Sequence, residues 1–196
     1  SFLATSKGEN RNSLCPSQSF KSLDITNKNE IVAVLEEFKP THIIHTAALT
    51  NVDYCELNEE ECRLVNTKSV EYLYSAATTN NIHFQLLSTD FVFDGKIGNY
   101  TEEDEVNPLS VYASSKVNSE NILRTSQDTN WSIVRTIIVF GVGENLSRSN
   151  IVVWGKNALM TGENLTIVDD QFRSPTWADD LAWGCIEICK RKENGI

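Results

Sequence analysis

Short runs dense in β-branched, aromatic and aliphatic residues alternate along this chain with longer stretches in which apolar positions recur every three or four residues. The short runs predict strands at 2–5, 20–24, 42–47, 83–88, 132–140 and 165–168. The longer ones predict helices at 27–38, 59–79, 110–125 and 179–192, with a weaker one at 149–160. The first helix carries Ile31, Val34, Leu35 and Phe38 on one stripe and is ended by Pro40. Strands alternating with helices of this length imply βαβ units. The expected fold is therefore α/β: a doubly wound, mostly parallel sheet of Rossmann type with helices on both faces. The run His42-Ile43-Ile44-His45-Thr46-Ala47-Ala48 ends in small residues, which lets a ligand approach the backbone at the carboxyl edge of the sheet.

No internal repeat, low-complexity tract or Pro/Gly-rich linker divides the 196 residues, a length that suits one core of ordinary size. Charge narrows the choice of partner. With 27 acidic against 17 basic residues the net charge is −10, and the basic residues are scattered singly, which argues against nucleic acid and anionic membranes. No apolar run approaches the roughly 20 residues of a membrane span, and the first residues lack the pattern of an export leader. Cys15, Cys55, Cys62, Cys185 and Cys189 are odd in number and form no C-x-x-C, so free thiols in the cytoplasm are expected. The sequons at Asn99, Asn130, Asn145 and Asn164 carry little weight in a chain so rich in Asn, Ser and Thr. No His, Cys and carboxylate cluster has ligand spacing, so no metal is assigned, and His42, His45 and His83 read as core or edge positions.

The candidate chemistry starts at Tyr112 and Lys116, four apart on one helical face just after the helix-start signal Asn107-Pro108-Leu109-Ser110. A phenol titrates near 10, and an adjacent ammonium that favours its phenolate makes it useful for proton transfer near neutrality. Y-x-x-x-K alone is weak evidence, since it also arises on surface helices. Ser88-Thr89-Asp90 ends a buried strand at the ligand edge, where a threonine hydroxyl can polarise a carbonyl or merely cap a turn. Asp24-Ile25-Thr26 ends another strand, where it contacts a base edge or caps the next helix.

Together these residues resemble the extended short-chain dehydrogenase/reductase superfamily, and within it the dTDP-4-dehydrorhamnose reductase family. The resemblance runs through Thr46-Ala47-Ala48-Leu49-Thr50-Asn51-Val52-Asp53, Val65-Asn66, and Ser88-Thr89-Asp90-Phe91-Val92-Phe93-Asp94-Gly95. It continues through Asn107 to Tyr112 with Lys116, Val134-Arg135-Thr136, and Asp169 through Ser174-Pro175-Thr176 to Asp180-Leu181-Ala182. It implies an NAD(P)H-dependent reductase of a nucleotide-activated 4-keto-6-deoxysugar. Tyr112 would then protonate the carbonyl oxygen, Lys116 hold the nicotinamide ribose and lower the tyrosine's pKa, and Thr89 bond the reacting oxygen. Asp24 and Ile25 match positions beside the adenine, and Ala47, Ala48 and Thr50 match the strand end beneath the cofactor. Asp90 would face the sugar, Arg173 the diphosphate, and Asn150 the substrate. The implied division is a nucleotide-binding portion over 1–140 and a small substrate-binding portion over 141–196.

Departures from the family pattern matter too. Its opening strand and G-x-x-G-x-x-G turn have no counterpart here, and Gly141-Val142-Gly143 lacks a third glycine at Leu146, so the expectation is an incomplete piece of a longer protein, inactive as isolated. Ile138 stands where rhamnose-forming members tend to carry tryptophan. After the first strand, Ser6 and Lys7 supply a hydroxyl and a cation in place of an acid, which suits NADP over NAD. A 4,6-dehydratase would need an acid after Asp90, where this chain has Phe91; an epimerase uses the same Tyr/Lys pair. From another class comes a non-catalytic NADP-binding subunit resembling the regulatory subunit of methionine adenosyltransferase. The expected partner is a nucleotide-sugar substrate, with a homodimer left open.

Overall fold

A computed structural model describes residues 1–144 and 150–196. Seven short strands and seven α-helices follow one another in the expected alternation among the described residues. They are β1 (Ala4–Ser6), β2 (Phe20–Ser22), α1 (Lys28–Phe38), β3 (His42–His45), α2 (Val52–Leu57), α3 (Glu59–Cys62), α4 (Ser69–Thr79) and β4 (His83–Thr89). There follow α5 (Val111–Arg124), β5 (Trp131–Thr136), β6 (Val139–Phe140), α6 (Ile151–Thr161), β7 (Thr176–Trp177) and α7 (Ala178–Arg191). Every strand pairing is parallel, as crossover helices require. The ladder falls into three groups, β1 with β2, β3-β4-β5, and β6 with β7. The central three strands align His42 with His83 and Phe84 with Trp131.

Local chemistry sets the helix ends. At α1, the Asn27 side chain accepts from the Asn29 and Glu30 amides and donates to Glu30 at 2.8 Å, a reciprocal cap. Lys39 then adopts φ of 50° before Pro40 stops the helix. At α5, Ser110 accepts from the Ala113 amide at 3.1 Å, fixing the first turn on which Tyr112 sits. The main core packs Ile31 and Val34 of α1 and Val70, Leu73 and Tyr74 of α4 against Phe84 and Leu86 of β4. Each such side chain contributes about 1.5–3 kcal/mol by leaving water.

Three expectations need correction. The run 165–168 forms no strand: it meets no sheet edge, and Ile167 and Val168 stay largely exposed. The run 132–140 breaks at Ile138, whose φ of 35° is one that a β-branched residue adopts reluctantly, so β5 and β6 join different ladders. The stretch 59–79 is no uniform α-helix, because Arg63–Lys68 winds as a π-helix between α3 and α4. The sequence pattern also passed over α2 and β7. The sequon at Asn145, the position of Leu146 and the expected helix start at 149 lie outside the described residues. No helix among the described residues is long and apolar enough to cross a membrane.

Candidate active site

The carboxyl ends of β4 and β5 open toward a cleft of about 1200 Å³ whose lining includes Asp90, Phe91, Phe93, Arg135, Thr136 and Arg173. Thr89 ends β4, and its hydroxyl accepts from the Phe91 amide at 3.2 Å while donating to Asp90 at 3.2 Å. Tyr112, on the first turn of α5, is buried with Cys55 and Cys62, its ring edge-on to Phe91 at 6.1 Å. Lys116 lies one turn further along the same face, buried, and donates to the Leu87 carbonyl at 2.7 Å. Thr89, Asp90, Tyr112 and Lys116 are thus gathered at one strand end.

The electrostatics differ from the sequence expectation. Burial pushes the Tyr112 phenol upward, the Thr89 hydroxyl beside it acting the other way, while the Lys116 ammonium is engaged with a backbone carbonyl. Lys116 itself is pulled down to about 8, because burial penalises its charge more than Glu120 restores it. Asp90 is raised by burial, against the pull of Arg173. Arg173 donates to Asp90 at 3.2 Å and to Gln171 at 3.4 Å, and lies 5.1 Å from the centre of the Phe91 ring.

The other predicted residues sit further out. Ser6 ends β1, and Lys7 pairs with Asp24 at 2.7 Å. Asp24 also accepts from the Thr26 amide and hydroxyl and is held down at about 2, the Lys7 bond being the largest cause. Ile25 packs its side chain on the main core. Ala47 and Thr50 are exposed on the loop after β3, with Ala48 half-buried. Asn150 caps α6 by accepting from the Val153 amide and donates to the Gly141 carbonyl at 2.8 Å, so its side chain braces a loop and does not line the cleft.

Sequence reasoning assigned no role to Asn66. Inside the π-helical turn its amide accepts from the Leu49 N–H at 2.7 Å and donates to the Leu49 carbonyl at 3.0 Å, gripping the loop after β3 at both polar atoms. It also donates to Ser115 at 3.0 Å, next to Lys116, and Ser115 in turn donates to the Tyr112 carbonyl at 2.6 Å. The available signal was an amide on an otherwise apolar helical stripe. Arg135 and Glu120 were given no role either; Glu120 is fully buried and pairs with Arg135, which is largely buried at the cleft wall.

Three buried groups near these strand ends have no partner within the protein: His45 Nε2, Ser88 Oγ and Thr136 Oγ1. Orphaned polar atoms beside small residues at a carboxyl edge fit a polar ligand such as a dinucleotide lying across the strands.

Comparison with known proteins identifies the family and the fold. Residues 3–195 match the family described as the RmlD substrate binding domain. The chain is 38% identical over 173 residues to dTDP-4-dehydrorhamnose reductase of Aggregatibacter actinomycetemcomitans, covering 88% of this chain and 57% of that one. It is 28% identical over 174 residues to methionine adenosyltransferase 2 subunit beta of Xenopus laevis, covering 88% and 52%. Among solved structures it superposes on dTDP-4-dehydrorhamnose reductase from Bacillus anthracis in complex with NADP with a TM-score of 0.81 at 25% identity, covering 96% of this chain and 70% of that one. The chain thus spans a little over half the length of the curated relatives it matches.

Proposed function

This chain belongs to the RmlD substrate binding domain family, and from that premise we propose that the protein reduces a nucleotide-activated 4-keto-6-deoxysugar, with NADPH as reductant and NADH as the alternative. The observation that carries the reading is the meeting of Thr89, Tyr112 and Lys116 at the end of β4, where a carbonyl oxygen can be polarised and protonated together. Residues of the chain fit the cofactor: Tyr112 and Lys116 would hold the nicotinamide ribose, with Ala47, Ala48 and Thr50 beneath it. Ser6, Lys7, Asp24 and Ile25 would meet the adenosine end, Lys7 exchanging Asp24 for a 2′-phosphate. When bound, the dinucleotide supplies the hydride that adds to the ketone carbon.

Tyr112 gives its phenolic proton to the ketone oxygen as the C=O bond becomes C–OH, so the alcohol forms without a free alkoxide. The upward push of burial suits this direction: the phenol keeps its proton until the developing oxyanion draws it away. Thr89 donates a hydrogen bond to the same oxygen. Lys116 places a positive charge near the phenolate that remains. Asp90 faces the sugar and Arg173 the diphosphate, while Asn150 serves the substrate through the loop it braces. The reaction belongs in the cytoplasm.

The test is Tyr112→Phe in the protein assayed with NADPH and dTDP-4-keto-6-deoxysugars. Turnover falls by about 10²-fold or more while NADPH still binds. Wild-type turnover in the variant removes Tyr112 as the donor. A wild-type protein that binds NADPH and turns over no keto sugar supports a regulatory subunit instead, the reading favoured by the likeness to methionine adenosyltransferase 2 subunit beta.

A further inference from the structure

Tyr112, Lys116 and Glu120 form one stripe of α5 at four-residue spacing, and all three are buried. A carboxylate with no exposed surface is unusual. Glu120 is held by Arg135 through two parallel bonds, Nε at 3.0 Å and Nη2 at 2.7 Å. Arg135 is itself fixed twice more, its Nη1 donating to the Glu102 carbonyl at 3.4 Å and its guanidinium lying 5.0 Å from the centre of the Phe93 ring. So α5 is tied to β4 through Lys116 and Leu87, and one turn later to β5 through Glu120 and Arg135. Stability alone does not account for the second tie, since a buried ion pair is often no better than an apolar pair of similar volume.

We propose that Glu120 and Arg135 are a positioning pair for Lys116, fixing the rotation of α5 over the sheet and supplying the negative charge that keeps the Lys116 amine protonated inside the fold. The proposal rests on the reading of Lys116 as a cofactor-holding ammonium. Burial works against that charge. The groups acting on Lys116 are the neutral His45 ring from β3, held near 3 by burial, the Cys62 thiol from α3, the Leu87 carbonyl from β4 and Glu120 from its own helix, with Tyr112 one turn before it on the same stripe. Among the described residues Glu120 is the carboxylate that raises Lys116, countering the burial that brings it to about 8. Removing that carboxylate lowers Lys116 further, so the ammonium, present below its pKa and lost above it, disappears at lower pH.

The experiment follows the Lys116 resonance by NMR of the ¹³Cε-lysine-labelled protein across a pH titration, assigned by its loss in Lys116→Arg, together with NADPH binding at each pH. It compares wild type, Glu120→Gln, and the pair Glu120→Leu with Arg135→Met, which swaps the ions for apolar side chains and so guards against misfolding. The wild-type midpoint is expected at about 8; in Glu120→Gln it falls by about one pH unit, and in the double variant, where the opposing Arg135 charge goes as well, it falls by less, with the loss of NADPH binding moving down in step. A folded Glu120→Gln protein with a wild-type midpoint, or a folded double variant whose midpoint rises, overturns the proposal, even where NADPH binds normally. A lowered midpoint in a protein that binds no NADPH at any pH upholds the charge relationship and overturns the cofactor reading instead.

Discussion

At the scale of single residues, the pH dependence of the proposed reduction is expected to belong to Lys116 and not to Tyr112. The phenol is pushed above its ordinary value of 10.0, so it holds its proton throughout the working range. Lys116 titrates at about 8, and its ammonium is complete below that pH and lost above it. Activity therefore declines as pH rises through about 8. In Lys116→Met, assayed as kcat/KM against pH, that limb is gone, activity is lower throughout, and the remaining decline begins only where the phenol ionises; persistence of the limb near 8 would assign it to another group. Tyr112, Lys116 and Thr89 were legible in the sequence because their chemistry is local, one helical spacing and one strand end. Glu120 and Arg135 were not, since nothing short-range marks a carboxylate on a helix as the mate of an arginine 15 residues later.

The same distinction holds at the scale of elements. Period-3.6 patterns located α1, α5 and α7 within a residue or two, because each buries one apolar stripe, and α1 and α5 also start at a capping side chain. The π-helical turn at Arg63–Lys68 escaped, because the apolar period continues across it while its meaning lies in Asn66 and partners 17 and 49 residues away in sequence. Asn66→Ala leaves the Leu49 N–H and carbonyl without their partner, and the variant loses about 2 kcal/mol or more in urea unfolding. Asn66→Asp keeps the acceptor for Leu49 N–H but places a carboxylate against the Leu49 carbonyl, so it is destabilised further and increasingly so above the carboxyl pKa. Equal stability of the three proteins would show that water replaces the amide at no cost.

Across the whole molecule, apolar burial is uneven, and that predicts how the protein opens. The main core draws every member from Leu23 through Ile133, whereas beyond residue 140 only Ala158, Cys185 and Cys189 are buried among the described hydrophobics. Phe172 is 97% exposed, and Leu159 and Met160 are each 75% exposed. Helix α7 is the exception, tied down where Gln85 donates to the Cys185 carbonyl at 3.3 Å and where Gly195 bridges β5. The division between 1–140 and 141–196 is thus, in our proposal, one of role, nucleotide against sugar, with α7 belonging mechanically to the sheet. Local opening follows the amount of buried apolar contact. In hydrogen exchange read by mass spectrometry, β4 amides exchange only through global unfolding, α7 exchanges nearly as slowly, α6 faster, and residues 163–175 at close to the unprotected rate. Uniform protection of α6 and β4 would overturn this order. Addition of a nucleoside diphosphate sugar then slows exchange first in 163–175, because that segment carries Arg173 into the cleft while lacking a core of its own.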